Sequence, residues 1–207
     1  MQAKVRLSRV EAQEQMRADL IEAAHRVFIA KGFKAASLQH ICAQASCTTG
    51  AIYSNFAGKE DLFFAVVELR NAGQQQHWHH LKERIGAPDF RLEEFGDTLV
   101  AALPDVQWQD AQAEFRAAAV ANPQTAVRLK AIYQQSHRNM VSLLERFFTV
   151  YDIAPPRPCA DLAILVRAMM EGLLLYYRLD ASTRVAALFT ASIRDLLLPL
   201  DQKDRFP

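Results

Sequence analysis

The run from Ser37 to Phe63, SLQHICAQASCTTGAIYSNFAGKEDLF, constrains the fold more than any other stretch of this 207-residue chain. Ser37 is a good N-cap for a helix whose inner face carries Leu38, Ile41, Cys42 and Ala45. Ser46 and Cys47 make a turn, and Thr48 caps a second helix that ends near Ser54. Ala57 and Gly58 open a longer helix, where Glu60 and Asp61 complement the positive N-terminal dipole. Upstream, from about Val10 to Lys31, Met16, Leu20, Ala23, Val27 and Phe28 recur at helical spacing, and Gly32 is the stop signal. Three helices with Leu20, Val27, Phe28, Leu38, Ile41, Ile52 and Phe56 inside can pack into one compact unit. That is the helix-turn-helix pattern, which lays its last helix in the DNA major groove.

The remaining chain also reads as helix, with no credible strand run and no internal repeat. The fourth helix carries Leu62, Phe63, Val66, Val67, Leu69 and Trp78. Gly86, Pro88 and Asp89 precede a fifth helix through Leu103, which Pro104 breaks. A sixth runs from near Trp108 to Ala121. Asn122-Pro123 opens a long seventh to about Phe148. After the rigid segment APPRPC come two apolar helices, Asp161–Leu179 and Ser182–Leu198, the last ended by Pro199. The expected class is all-α with about nine helices, divided into a DNA-binding domain with a basic N-terminal arm (1–57) and an effector-binding and dimerisation domain (58–207).

The net charge of +1 is uninformative, but its distribution is not. Residues 1–59 hold eight Lys or Arg and four acids, so they carry +4 against −3 for the rest. A basic head on an acidic body suits a DNA reader. Three sparse cysteines, Cys42, Cys47 and Cys159, give no disulfide framework and fit a reducing cytoplasm. The segment MQAKVRLSRVEAQEQM has no apolar run, so no secretory signal is expected, and no stretch has the length and apolarity of a membrane span.

Packing leaves the third helix one free face, with Thr48, Thr49, Gly50, Tyr53 and Asn55. Hydroxyls and amides there suit phosphate oxygens and base edges. Gly50 lets the backbone come close to DNA. Lys59, at the start of the fourth helix, is placed to share a phosphate with free backbone N–H groups. Ser37 and Gln39 can meet the backbone of the other strand. Lys4, Arg6 and Arg9 of the arm add candidate phosphate or minor-groove contacts.

These residues resemble the TetR-type (tetracycline-repressor-like) family of transcriptional regulators. The resemblance rests on Ala30-Lys31-Gly32-Phe33, Ser37 to Ala45, Thr49 to Phe56 and Gly58-Lys59-Glu60-Asp61-Leu62-Phe63, and is detailed over about residues 10–65. Three positions depart from the family pattern. Ser46-Cys47 stands where Gly-Val is common, Ala51 where a hydroxyl is frequent, and Asn55 where His is frequent.

The last two helices are too apolar for a surface pair. Leu162, Leu165, Val166, Met169, Leu173 and Tyr177 on one, and Val185, Leu188, Phe189 and Leu196 on the other, read as half of a four-helix homodimer interface. The resemblance implies the same, and an ordinary monomer core is the alternative. It also implies a pocket in the middle helices. Trp78, Phe95, Leu99, Trp108, Phe115, Tyr133, His137, Met140, Phe147, Met170 and Tyr176 are its candidate lining, suited to an apolar or aromatic effector; plain core is the other reading.

Other constellations carry less. His77 and His80 share a helix face, but two ligands do not make a zinc site, so no metal is expected. Cys42 and Cys47 are candidates for a redox pair, although Cys42 falls on a buried face and packs as a small hydrophobe. No P-loop, nucleophile elbow or dinucleotide fingerprint is present, and neither a cofactor nor catalysis is expected. The expected function is a homodimeric, ligand-relieved repressor of a palindromic operator on double-stranded DNA. The alternative is a helical small-molecule-binding or interaction protein with a vestigial DNA head.

Overall fold

A computed structural model of the protein describes residues 8–102 and 105–198. Lys4 and Arg6 of the arm and the proline breaks at Pro104 and Pro199 lie outside the described residues. Among those residues the chain forms nine helices and no strand: α1 (Arg9–Ala35), α2 (Leu38–Ala45), α3 (Thr49–Tyr53), α4 (Lys59–Arg84), α5 (Glu93–Ala101), α6 (Val106–Val120), α7 (Pro123–Tyr151), α8 (Cys159–Leu179) and α9 (Val185–Leu197). They gather into two compact units. One comprises the described residues of Met1–Ala72 and Pro104–Ala126, and the other those of Gly73–Leu103 and Val127–Pro207. Packing therefore puts the start of α4 and all of α6 with the first three helices.

In the N-terminal unit, α1 opens on a capping box. The Ser8 Oγ accepts from the Glu11 N–H at 3.2 Å, and the Glu11 carboxylate accepts from the Ser8 N–H at 2.7 Å. Leu20, Ala23, Ala24, Val27 and Phe28 follow at the three-and-four spacing that lines one helix face. Met16 is exposed rather than inward. Gly32 does not stop the helix as its composition suggests; it kinks it. Its φ of 74° is a left-handed value that glycine adopts without steric cost. The chain then turns Phe33 back inward. There α1, α4 and α6 share an aromatic core centred on Phe63. That ring stacks between Trp108 at 5.1 Å and Phe115 at 4.3 Å, and meets Phe28 edge-on at 4.8 Å and Phe33 at 5.1 Å.

The C-terminal unit has its own core. Leu81 and Ile85 at the end of α4 pack with Phe95 and Leu99 of α5, Leu144 and Phe147 of α7, Leu162 and Val166 of α8, and Phe189 and Ile193 of α9. The backbones of α5 and α9 come close at Gly96, where a Cβ would lie 2.6 Å from the Ala186 carbonyl oxygen. The end of α4 is closed by Arg146 of α7, which donates to the carbonyls of Lys82 at 2.7 Å and Ile85 at 3.2 Å.

Arg84 grips Glu94 at 2.9 Å and Asp89 at 2.9 Å. Its hydrogen bonds hold the Glu94 carboxyl below its ordinary value of 4.5. A depressed folded value means that this bridge stabilises the fold above the ordinary carboxylate range. Its contribution fades as pH falls through the lower folded value. We expect Glu94→Gln to lower the unfolding midpoint at pH 7 while flattening its fall between about pH 5 and 3, read by circular dichroism melts. An acid-limb slope equal to the parent's would assign that limb to other carboxylates.

Candidate nucleic-acid interface

The α2–α3 pair is held by local hydrogen bonds that its sequence anticipates. The Ser37 hydroxyl accepts from the His40 N–H at 3.2 Å and starts α2. The helix ends in a left-handed residue, Ser46, at φ 51° and ψ 42°. Next, the Cys47 N–H reaches back to the Cys42 carbonyl at 3.0 Å, the six-to-one bond of a Schellman turn. Glycine is the residue that takes this conformation most cheaply, so serine at position 46 carries backbone strain in this turn. Thr48 caps α3 through Oγ1, which accepts from the Ala51 N–H at 3.4 Å.

With only five residues, α3 depends on neighbours. Ile52 is fully buried beneath it. Its last turn is extended by the Ser54 hydroxyl donating to the Gly50 carbonyl at 2.9 Å and by the Phe56 N–H donating to the Ile52 carbonyl at 2.8 Å. Arg17 of α1 closes the end, donating to the Asn55 carbonyl at 3.2 Å with its guanidinium 4.3 Å from the Phe56 ring centre. Arg17 lies 38 residues before its acceptor, so no local sequence signal ties it to this helix end.

Thr48, Thr49, Gly50 and Tyr53 all lie on the exposed face, Tyr53 with 61% of its surface free. A Cβ at Gly50 would meet nothing closer than the Thr48 Oγ1 at 3.7 Å, so nothing inside the protein demands a glycine there. Gln39 is exposed, and Ser37 is half-buried with its oxygen spent on the cap. Asn55 turns partly inward: it is half-buried, and its amide donates to the Ala51 carbonyl at 2.8 Å. One amide N–H and the side-chain oxygen are left for a contact through that face.

Lys59 departs most from expectation. Its ammonium points back into the protein and donates to the carbonyls of Phe33 at 2.9 Å, Ala36 at 3.0 Å and Lys34 at 3.4 Å. It also lies 4.5 Å from the centre of the Phe33 ring. An ammonium has three donors, and here all three have acceptors. Lys59 thus caps the carbonyl end of α1 rather than standing ready for a phosphate. From the other side, Glu114 of α6 accepts from the Lys34 N–H at 2.8 Å, in the space that a Gly32 side chain would need. Between them the two charges fix the elbow from which α2 and α3 hang.

The predicted pocket residues do not form one group. Trp108 and Phe115 belong to the aromatic core of the N-terminal unit. Phe95, Leu99 and Phe147 are sealed in the other core, with Trp78, Met140 and Met170 packed against it. Tyr133 and His137 are half-buried on α7, Tyr133 beneath the Arg167 guanidinium at 4.3 Å. Tyr176 is 65% exposed. A shallow, open depression of about 430 Å³ lies on the C-terminal unit at the α7–α8 junction, beside Glu145, Phe148, Asp152 and Cys159.

Apolar residues predicted for an interface divide between two faces. Leu162, Val166, Val185 and Phe189 are buried in the unit's own core. Met169, Leu173, Tyr177 and Leu196 are half-buried against it. Leu165 and Leu188 do look outward, joined by Ile164, Leu175 and Leu179, which the sequence reading did not single out. Apolar residues encircle α8, so periodicity alone could not separate core from surface.

Comparison with known proteins bears on both parts of the chain. Residues 20–66 match the family of bacterial regulatory proteins described as tetR, and residues 89–199 match the C-terminal part of BetI-type transcriptional repressors. SrpR, an HTH-type transcriptional regulator of Pseudomonas putida, is 34% identical over 92 residues, which is 44% of this chain but only 39% of SrpR. A candidate transcriptional regulator solved from Pseudomonas aeruginosa is 25% identical, with 98% of this chain and 99% of that one superposing at a TM-score of 0.69. The solved complex of SmeT with triclosan shares the fold at a TM-score of 0.64, with 16% identity over 90% of this chain and 93% of that one.

Proposed function

From the premise that this chain belongs to the TetR family of bacterial regulatory proteins and is a DNA-binding transcriptional regulator, we propose that it is a homodimeric repressor, released from a palindromic operator by a small molecule. The observation that carries the reading is the outward face of α3, where Thr48, Thr49, Gly50 and Tyr53 stand unburied on a helix anchored from below by Ile52. Polar groups so presented suit base edges and phosphates of a major groove. In this reading residues 1–57 act as the head and 58–207 as the body, and the protein works in the cytoplasm beside its DNA.

The exposed apolar side of α8 and α9 supports a dimer. Ile164, Leu165, Leu175, Leu179 and Leu188 face outward there, and a Cβ on Gly172 would meet nothing within 4 Å in its own chain. Two copies joined through such a face offer two heads to half-sites about 34–36 Å apart. The effector is an apolar or aromatic molecule, in keeping with the aromatic and methionine content of the C-terminal unit and with triclosan in SmeT. Effector and operator then weaken each other's binding by the same factor.

The test begins by selecting the operator from fragmented genomic DNA. We expect Tyr53→Ala to leave the helical circular dichroism intact and to weaken operator binding by roughly tenfold or more, the scale of one lost base contact. Unchanged affinity in that variant would remove Tyr53 from the reading face. Failure of the parent to enrich any sequence in a salt-dependent manner would remove the operator reading itself.

A further inference from the structure

The end of α2 and the turn after it hold two of the chain's three thiols, Cys42 and Cys47, and the backbone there brings the two residues together. In a Schellman turn the residue three from the helix end and the second residue beyond it are brought side by side, usually with an apolar contact. Here those residues are Cys42 and Cys47, linked by the 3.0 Å bond from the Cys47 N–H to the Cys42 carbonyl. Cys42 is buried, and its sulfur lies 3.9 Å from the Thr49 Oγ1 at the start of α3. Cys47 is half-buried and opens the way in. Cys159, by contrast, belongs to the other unit.

We propose that Cys42 and Cys47 form a dithiol site that a trivalent arsenical bridges, and that closing the bridge weakens operator binding. Burial and the neighbouring Cys42 push the Cys47 thiol up, so it stays protonated at neutral pH. A protonated thiol is a poor nucleophile toward peroxides. Condensation with an arsenic(III) hydroxide needs no standing thiolate and no oxidant. Phenylarsine oxide, hydrated in water, carries two As–OH groups. Each As–O bond breaks as an As–S bond forms, and each hydroxide leaves with a thiol proton as water. Arsenic keeps its oxidation state, and two waters are released.

The half-buried but reachable Cys47 reacts first, and the buried Cys42 closes the ring. Closure draws the Cys42 sulfur away from Thr49 and sets an aryl-arsenic group beside the Thr48 cap. The start of α3 must then shift, and with it Thr49 and Gly50. This consequence rests on the DNA-reading role of α3; formation of the bridge does not.

Full-length protein is treated with phenylarsine oxide and then with excess glutathione, and intact mass and operator affinity are read. We expect one adduct per chain that survives glutathione, because ring closure through two sulfurs resists a monothiol, and that 2,3-dimercaptopropanol removes. Tryptic mapping should place it between Lys34 and Lys59, in the segment that holds both thiols. Operator affinity should fall at least fivefold, roughly the lower end of ordinary coupling between two binding events, and recover with the dithiol. Cys159→Ser should behave as the parent, and Cys47→Ser should retain no adduct. An adduct that glutathione strips, or that survives in Cys47→Ser, overturns the site. An adduct retained with unchanged affinity overturns its effect on reading. If the untreated protein bound no operator, the DNA reading would fail while the adduct still decided the site.

Discussion

Replacing Phe63 by alanine is expected to destabilise the N-terminal unit by about 3–5 kcal/mol, the usual cost of emptying a fully buried aromatic position. Phe63 has no exposed surface, and its ring is held between Trp108 and Phe115 while Phe28 and Phe33 close the edges. Three helices meet on this one ring, so no single side chain can collapse into the space left behind. The loss is a large share of the whole stability of an ordinary domain, about 5–15 kcal/mol. Urea titration followed by circular dichroism reads it directly. A midpoint unchanged from the parent would mean that the four neighbouring rings re-pack without cost, and that the cluster does not hold α6 to α1.

Lys59→Ala is expected to cost about 1.5–3 kcal/mol, the range for hydrogen bonds to a charged group, and to leave the salt dependence of operator binding unchanged. The carbonyls of Phe33, Lys34 and Ala36 lose their shared donor, and the α1–α2 elbow loosens. A lysine that neutralises a phosphate behaves differently. Its removal lowers the slope of log affinity against log salt by about one. The two measurements therefore separate the roles. A lower melting midpoint with a preserved slope supports the cap, and a preserved midpoint with a slope reduced by about one returns Lys59 to the DNA.

The Lys59 case marks where reading a sequence stops. Lysine at the first position of a helix next to a reading motif suggests a phosphate, because helix starts attract anions. Its real acceptors lie 23 to 26 residues upstream, and no local pattern links them. What was legible was local in character. Ser37 and Thr48 cap their helices as expected, Ile41 and Ile52 are fully buried, and Cys42 packs on the inner face of α2. Gly32 reads as a stop signal, yet α1 continues past it, and only its φ separates a kink from an end.

Elsewhere the missing information was which partner a given apolar residue meets. Trp108 and Phe115 have the same character as Phe95 and Phe147, yet the first pair joins the N-terminal core and the second the C-terminal one. The assignment depends on α6 packing against α1, which is a matter of chain path. On α8, Leu162 and Leu165 are three residues apart; the first is fully buried and the second 39% exposed.

The elbow at Gly32 bears on how such proteins are recombined. The chain up to residue 57 holds the reading helices but neither of the charges that steady them, since Lys59 and Glu114 both come later. It also lacks Phe63, Trp108 and Phe115, against which Phe28 and Phe33 pack directly or through Phe63. A chimera spliced at residue 57 would inherit α2 and α3 on a scaffold with an open end and bare aromatic rings. The transferable cassette is discontinuous: it needs α6 of the same parent to travel with the head.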